Sequence, residues 1–111
     1  MPGIPELSPS EFAQRWPNFA RSPDVVLLDV REHDEVATAA IDGAVHIPMR
    51  EVPARLAELD ADKALVVMCH SGGRSARVAG FLRGAGFAKI FNLRGGIDAW
   101  STEVDPRVPR Y

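Results

Sequence analysis

The sequence predicts an α/β domain with a central, mostly parallel sheet and helices on both faces. Two observations favour this fold class. Short continuous apolar runs, typical of strands buried on both faces, alternate along the chain with segments of helical periodicity. The 111 residues, 46% of them hydrophobic, are enough for one modest core. We therefore expect one domain over residues 1–103 and an exposed C-terminal tail over residues 104–111, which contain two prolines.

The first predicted elements are an edge strand and a helix. Residues 4–7 fit a short strand, and the proline within them would keep it at the edge of the sheet. Ser8 follows as a helix N-cap, Pro9 takes the first helical position, and Glu11 completes a capping box. We expect this helix to end at Pro17, because proline cannot continue a helical hydrogen-bond ladder.

The middle of the chain predicts strands and helices in alternation. A buried strand at residues 24–29 leads to a short helix at residues 32–37, and a short strand at residues 45–48 ends in proline. Asp29 and Arg31, where the first of these strands ends, are expected to fix the following loop by hydrogen bonds. Residues 49–59 have the spacing of an amphipathic α-helix, and the proline within them is expected in its first turn.

The remaining elements surround a glycine-containing loop. Residues 65–68 form a continuous apolar run that predicts a buried strand, and helical spacing begins at Ser75. This helix is expected to end with Gly86 in a left-handed conformation. A further strand is predicted at residues 89–93, and residues 95–96 are glycines that open a last short helix.

The sole cysteine of the chain, Cys69, directly follows the apolar strand, where open α/β sheets bind ligands. Gly72 and Gly73 permit backbone angles that turn the amides of residues 70–75 towards one point. Such a concave set of amides at a helix N-terminus binds an anion, and Arg74 adds a permanent positive charge. The same field favours the thiolate of the cysteine, which is the nucleophilic form. The sequence therefore predicts a nucleophilic cysteine inside an anion-binding loop.

Four segments, in order and spacing over roughly residues 4–102, resemble the rhodanese (sulfurtransferase) family. They are residues 27–32, 42–48, 69–75 and 92–100. The resemblance implies the rhodanese-like α/β fold with a five-stranded sheet. It also implies a mainly structural role for the Asp29–Arg31 pair.

The resemblance implies a thiosulfate sulfurtransferase type of transferase. Cys69 would take a sulfane sulfur from a small anionic donor such as thiosulfate, and the resulting persulfide would pass it to cyanide, a small thiol or a protein thiol. The loop residues are the candidate substrate-binding set: His70, Ser71, Gly72, Gly73, Arg74 and Ser75. Two roles stay open for Arg74, which either binds the donor or fixes the loop through a carboxylate. His70 likewise either contacts substrate or is an exposed spacer.

Three alternatives accompany this reading. A phosphatase or arsenate reductase resembles the same design, but related phosphatases have five residues between cysteine and arginine. Here there are four, at positions 70–73, and the tighter ring suits a single sulfur better than a phosphate. A persulfide carrier or sensor that docks on a partner protein is a second alternative. The third is a buried inert thiol, although a core cysteine would not require two glycines and an arginine behind it.

Composition excludes several function classes. A net charge of −2 gives no reason to expect nucleic acid or an anionic membrane surface as a partner, and no apolar run approaches membrane-spanning length. The N-terminus has neither the basic nor the apolar region of a signal peptide. A single cysteine cannot form an internal disulfide, which suits a cytoplasmic location. The three histidines and one cysteine show no zinc spacing, so we expect neither a metal nor an organic cofactor.

Overall fold

The structure, a computed structural model, describes residues 3–111. Within this range one parallel sheet has five strands in the order β1–β5–β4–β2–β3. The strands are β1 (Glu6–Leu7), β2 (Val25–Asp29), β3 (Val45–His46), β4 (Ala64–Met68) and β5 (Ile90–Leu93). The α-helices are α1 (Pro9–Arg15), α2 (His33–Thr38), α3 (Gly73–Gly84) and α4 (Gly96–Glu103). The predicted fold class is confirmed. Met1 and Pro2, included in the predicted domain and in the reading of the N-terminus, lie outside the described residues.

The central strand β4 separates two hydrophobic cores. All five of its residues are buried, as its continuous apolar sequence predicts. Because side chains alternate along a strand, Val66 and Met68 enter one core while Leu65 and Val67 enter the other. Helices α1 and α4 contribute Phe12 and Trp100 to the first core, and α3 contributes Val78, Ala79 and Leu82 to the second. Helices therefore cover both faces of the sheet.

The predicted start of α1 is confirmed in detail. The Ser8 side chain accepts a hydrogen bond from the Glu11 amide at 3.1 Å, and the Glu11 carboxylate accepts one from the Ser8 amide at 2.8 Å. Strand β1 lies at the edge of the sheet beside β5, as its proline predicts. Gly86 has a φ of +105°, the left-handed conformation expected just beyond α3.

The prediction of an α-helix over residues 49–59 is wrong. The chain instead forms two short 3₁₀ segments, Met49–Glu51 and Pro53–Glu58, and Arg55 has a non-helical φ of −120°. Pro53 begins the second segment, where its missing amide hydrogen is not needed, but it cannot continue a helix that starts at Met49. The apolar face of this segment still packs on the core: Val52 is buried, and Leu56 and Leu59 pack against the same cluster.

The segment after α4 is largely exposed, but it lies against the domain. Val108 packs against the first core, and the Arg110 guanidinium forms an ion pair with Asp98 of α4 at 2.9 Å. Tyr111 at the end of the segment contacts side chains beside the cysteine loop. The boundary between domain and tail at residue 103 stays a prediction. None of the helices formed by residues 3–111 is long and apolar enough to cross a membrane.

Candidate active site

The candidate nucleophile lies at the carboxyl end of the central strand. Cys69 directly follows β4 and is only 1% exposed. Its Sγ accepts hydrogen bonds from the Gly72 amide at 3.1 Å and from the Ser75 hydroxyl at 3.3 Å. The sulfur is therefore buried and receives hydrogen bonds from its own loop.

Gly72 makes the loop turn back onto the sulfur. It occupies the N-cap of α3 with a φ of +117°, a conformation that residues with a Cβ rarely adopt. The helix starts one residue later, at Gly73, and its first turn therefore opens towards Cys69. The N-terminal amides of a helix have no partners within the helix and are free to bind an anion there.

Two opposing effects set the pKa of the Cys69 thiol. Burial raises the pKa, because it disfavours the charged thiolate. Hydrogen bonds donated by the Ser75 side chain and by the amides of Ser75, Gly72 and Ser71 lower it. The hydrogen bonds outweigh burial, so the pKa lies below the ordinary value of a cysteine. The loop thus favours the nucleophilic form of the side chain.

Asn92 on β5 forms a hydrogen bond with the Ser75 hydroxyl, and the sequence analysis did not identify this residue as part of the site. The Ser75 Oγ lies 2.6 Å from the Asn92 Oδ1, and the Asn92 Nδ2 donates to the Gly72 carbonyl at 3.2 Å. Both side chains are buried. The sequence did offer a signal for Asn92, because its amide side chain is the one polar group in the apolar sequence of a buried strand. A buried polar group needs hydrogen-bond partners. Asn92 thus connects the loop to the neighbouring strand.

The structure places Arg74 against α2. Its guanidinium donates to both carboxylate oxygens of Glu35, at 2.6 and 2.8 Å. This two-point pairing is the loop-fixing geometry among the two roles that the sequence left open. The hydrogen bonds from Arg74 lower the pKa of Glu35 to about 2, so the pair stays charged at neutral pH. Glu35 is also a residue that sequence reasoning missed, because it lies 39 positions away in the chain.

A buried arginine connects this pair to the end of β2. Arg31 is fully buried and pairs with Asp29 through two hydrogen bonds, at 2.7 and 3.0 Å. It also donates to the Ala39 carbonyl at 2.7 Å and to the Tyr111 hydroxyl at 3.0 Å. These contacts agree with the expected loop-fixing role of Asp29 and Arg31.

The other predicted loop residues lie at the mouth of the site. Ser71 and Gly73 are exposed, whereas His70 is half-buried and its ring stacks on the ring of Tyr111 with centroids 4.2 Å apart. The His70 Nε2 is buried, and no hydrogen-bond partner for it occurs among residues 3–111. His70 is therefore covered by an aromatic ring and is no exposed spacer. Sequence reasoning missed Tyr111, which it assigned to an exposed tail.

The N-terminus of α4 supports the loop from behind. The amides of Ile97 and Asp98 donate to the carbonyls of Cys69 and His70, at 3.0 and 3.1 Å. A Cβ on Gly96 would lie 2.4 Å from the Cys69 carbonyl oxygen, so only glycine allows this close approach. In the part of the chain that the structure describes, no cluster of three His, Cys, Asp or Glu side chains could hold a metal ion. The site thus combines a nucleophilic sulfur with amide donors and nearby positive charge.

Comparisons with known proteins point to one family. The profile of the rhodanese-like domain matches residues 13–103, which include the whole cysteine loop. A sulfurtransferase of Allochromatium vinosum is 36% identical over 105 residues, which cover 95% of this chain and 95% of that protein. The putative sulfurtransferase YtwF of Bacillus subtilis is 44% identical over 104 residues, with coverages of 94% and 97%. The crystal structure of a rhodanese-related protein from Thermoplasma volcanium has a TM-score of 0.79 at 27% identity, covering 97% of this chain and all of that chain (100%).

Proposed function

The chain belongs to the rhodanese-like domain family, and we propose that it carries a sulfane sulfur on Cys69 between a small anionic donor and a thiophilic acceptor. Thiosulfate is the proposed donor, and cyanide, a small thiol or a protein thiol is the proposed acceptor. The observation that carries the proposal is the environment of the Cys69 Sγ. It is buried, accepts hydrogen bonds from Gly72 and Ser75, and has a lowered pKa.

The first proposed step loads the sulfur. The Cys69 thiolate attacks the outer sulfur of thiosulfate, a new S–S bond forms, and sulfite leaves with the electron pair of the broken S–S bond. The product is a persulfide anion, so the negative charge stays in the loop. Amides that already bind the thiolate would hold this charge, and the helix N-terminus favours it.

The second proposed step unloads the sulfur. Cyanide attacks the outer sulfur of the persulfide, the S–S bond breaks, and its electron pair returns to Cys69 as thiolate while thiocyanate leaves. A thiol acceptor would leave as a persulfide and keep its proton. Both routes regenerate the enzyme without an oxidant or a reductant. Because the thiol must stay reduced between cycles, we propose a reducing compartment, the cytoplasm, as its location.

The remaining loop residues have proposed supporting roles. The amides of residues 70–75 would bind the charged oxygens of the donor as well as the persulfide. Arg74 would contribute positive charge while its pairing with Glu35 holds the end of the loop. His70 and Ser71 would contact a donor or an acceptor that enters the loop.

Intact-protein mass spectrometry before and after thiosulfate tests the proposal. We expect a gain of one sulfur atom that is absent in Cys69→Ala, and we expect cyanide to remove it with release of thiocyanate. Absence of sulfur gain from both thiosulfate and a persulfide donor would contradict the proposal. Aryl phosphate hydrolysis that is lost in Cys69→Ala would instead support the phosphatase alternative.

A further inference from the structure

Tyr111 connects three groups that border the cysteine loop. Its hydroxyl donates to the Glu35 carboxylate at 2.8 Å and accepts from the Arg31 guanidinium at 3.0 Å. Its ring stacks on His70 with an interplanar angle of 14°. One side chain therefore spans from α2 to the residue that follows the nucleophile. The hydrogen bonds and the stacking contact fix both the hydroxyl and the plane of the ring.

The segment that carries Tyr111 is held at several points. The Arg110 guanidinium binds both carboxylate oxygens of Asp98, at 2.9 and 3.1 Å. Val108 packs against the first hydrophobic core. The backbone amide of Asp98 also donates a hydrogen bond to the His70 carbonyl. The segment is thus fixed to elements that also hold the loop.

The residues of the segment that make these contacts are more exposed than the interior of the domain. The Tyr111 residue is 41% exposed, and the Arg110 and Asp98 side chains are 61% and 36% exposed. Exposed ion pairs contribute little to stability, so the segment can leave its site at a modest cost. Cys69, by contrast, is 1% exposed.

We propose that Tyr111 determines which acceptors reach Cys69: its ring forms one wall of the entrance and restricts access to small molecules while the segment is closed. The proposal deepens the proposed function and rests on it for the identity of the acceptor. Cyanide and small thiols enter past the closed segment. A thiol on the surface of a folded protein needs the segment to move away, because it brings a bulky surface up to the loop.

The direction of attack on the persulfide explains why the width of the entrance would determine which acceptor reacts. A thiol must approach the outer sulfur of the persulfide from the side opposite the S–S bond that breaks. The electron pair of that bond returns to Cys69, and the acceptor leaves as a persulfide with its proton. A ring that covers His70 therefore limits the room on one side of this approach.

Alkylation of the sole cysteine tests the entrance without any need for sulfur transfer. We would measure the rates of modification by iodoacetamide and by a maleimide attached to a large polymer, followed by intact mass. In Tyr111→Ala we expect the rate with the large reagent to rise roughly tenfold relative to the small one, since a stacking contact and two hydrogen bonds are lost. Tyr111→Phe keeps the ring and should give a smaller increase.

Two further variants provide controls. Arg110→Ala breaks the ion pair with Asp98 without touching Tyr111, and it should also raise the rate with the large reagent. It serves as the second variant if Tyr111→Ala does not fold. Arg107→Ala alters an 89% exposed side chain whose ion-pair partner, Asp105, is in the same segment, and it should leave both rates unchanged.

Equal relative rates in wild type, Tyr111→Ala and Arg110→Ala would overturn the proposal. Equal acceleration of both reagents would also overturn it, because that result indicates a loosened loop and no size selection. If sulfur loads, Tyr111→Ala should raise kcat/KM for a folded single-cysteine protein more than for cyanide. If sulfur never loads while the size selection persists, the proposed function fails and the entrance role of Tyr111 stands.

Discussion

At the residue scale, the chemistry of the site depends on the hydrogen-bond donors around the Cys69 sulfur. Burial alone would raise the pKa of Cys69, and the surrounding hydrogen bonds lower it below the ordinary value of a cysteine. The Ser75 hydroxyl has the Cys69 Sγ, the Asn92 Oδ1 and the Gly72 carbonyl all within 3.3 Å. One hydrogen is therefore shared among these acceptors, and a charge on the sulfur attracts it most strongly.

Ser75→Ala should raise the pKa of Cys69, because it removes a donor that stabilises the thiolate. The pH profile of iodoacetamide modification should move to higher pH, and the rate at pH 7 should fall roughly fivefold to tenfold. Ser101→Ala is the matched control, because Ser101 is also buried but donates within α4 to Ile97. An unshifted profile in Ser75→Ala would show that this hydroxyl does not stabilise the thiolate.

At the scale of elements, the loop is held by its neighbours on two sides. Helix α2 holds Arg74 through Glu35, and the N-terminus of α4 holds the carbonyls of Cys69 and His70. Loops that bind anions need such support, because the amides must stay aimed at one point when no anion is bound. Loss of either support should therefore affect stability and sulfur loading together.

The ion pair between α2 and α3 predicts a dependence of stability on pH. The pKa of Glu35 is about 2 in the folded protein, below its ordinary value of 4.5. Its contribution is therefore fully present above pH 4.5 and is lost as the pH falls towards 2. Glu35→Gln should lower the free energy of unfolding at pH 7 by about 1–2 kcal/mol, since solvent partly screens the pair.

Denaturant titrations at pH 7 and pH 3 check this expectation. The difference between wild type and Glu35→Gln should shrink at the lower pH. Glu58→Gln removes an exposed ion pair with Arg55 and should leave the free energy of unfolding almost unchanged at either pH. A Glu35→Gln effect of equal size at both pH values would contradict the ionic origin of the stabilisation.

Because α4 lies so close to the cysteine loop, we expect a single methyl group added at Gly96 to destabilise the protein. Gly96→Ala would place a Cβ 2.4 Å from the Cys69 carbonyl oxygen and 2.5 Å from that of His70, at a φ of +59°. The loop or the helix must move, and we expect a loss of at least about 2 kcal/mol in unfolding free energy.

Sulfur loading by Gly96→Ala should fall as well, which the mass assay would measure. Gly80→Ala is the control, because a Cβ at this position in α3 meets nothing within 4 Å. That variant should be more stable than wild type by about 0.5–1 kcal/mol, since alanine favours a helix. Normal stability and loading in Gly96→Ala would rule out a need for this close approach.

At the scale of the whole molecule, the two cores make the sheet a rigid support for the loop. Trp100 joins α4 to the first core and meets the rings of Phe12 and Phe19, with centroids 5.8 and 6.2 Å apart. The loop follows β4, the strand that separates the two cores, and its Cys69 belongs to the second core. Stability of the whole domain and position of the loop are therefore linked through α4.

Trp100→Ala should lower the free energy of unfolding by about 3–5 kcal/mol, because it removes a large buried side chain and leaves a cavity. Phe81→Ala, at a ring that is 45% exposed, should cost less than about 1 kcal/mol. Thermal and denaturant unfolding would measure both. Similar losses in the two variants would show that the first core does not depend on Trp100.

Local patterns along the chain are enough to predict the family, the α/β fold class and the cysteine loop. Strands buried on both faces, the Ser8 capping box and the strand–glycine–helix order around Cys69 are local patterns, and the structure confirms them. The prediction of one α-helix over residues 49–59 was wrong, although the apolar spacing correctly identified the buried face. Pro53 cannot donate the backbone hydrogen bond that would continue a helix from Met49. Glu35 meets Arg74 and Tyr111 only after folding, because these residues are 39 and 76 positions away from it in the chain. Such contacts depend on how the strands order themselves in the sheet, and no periodicity in the chain encodes that order.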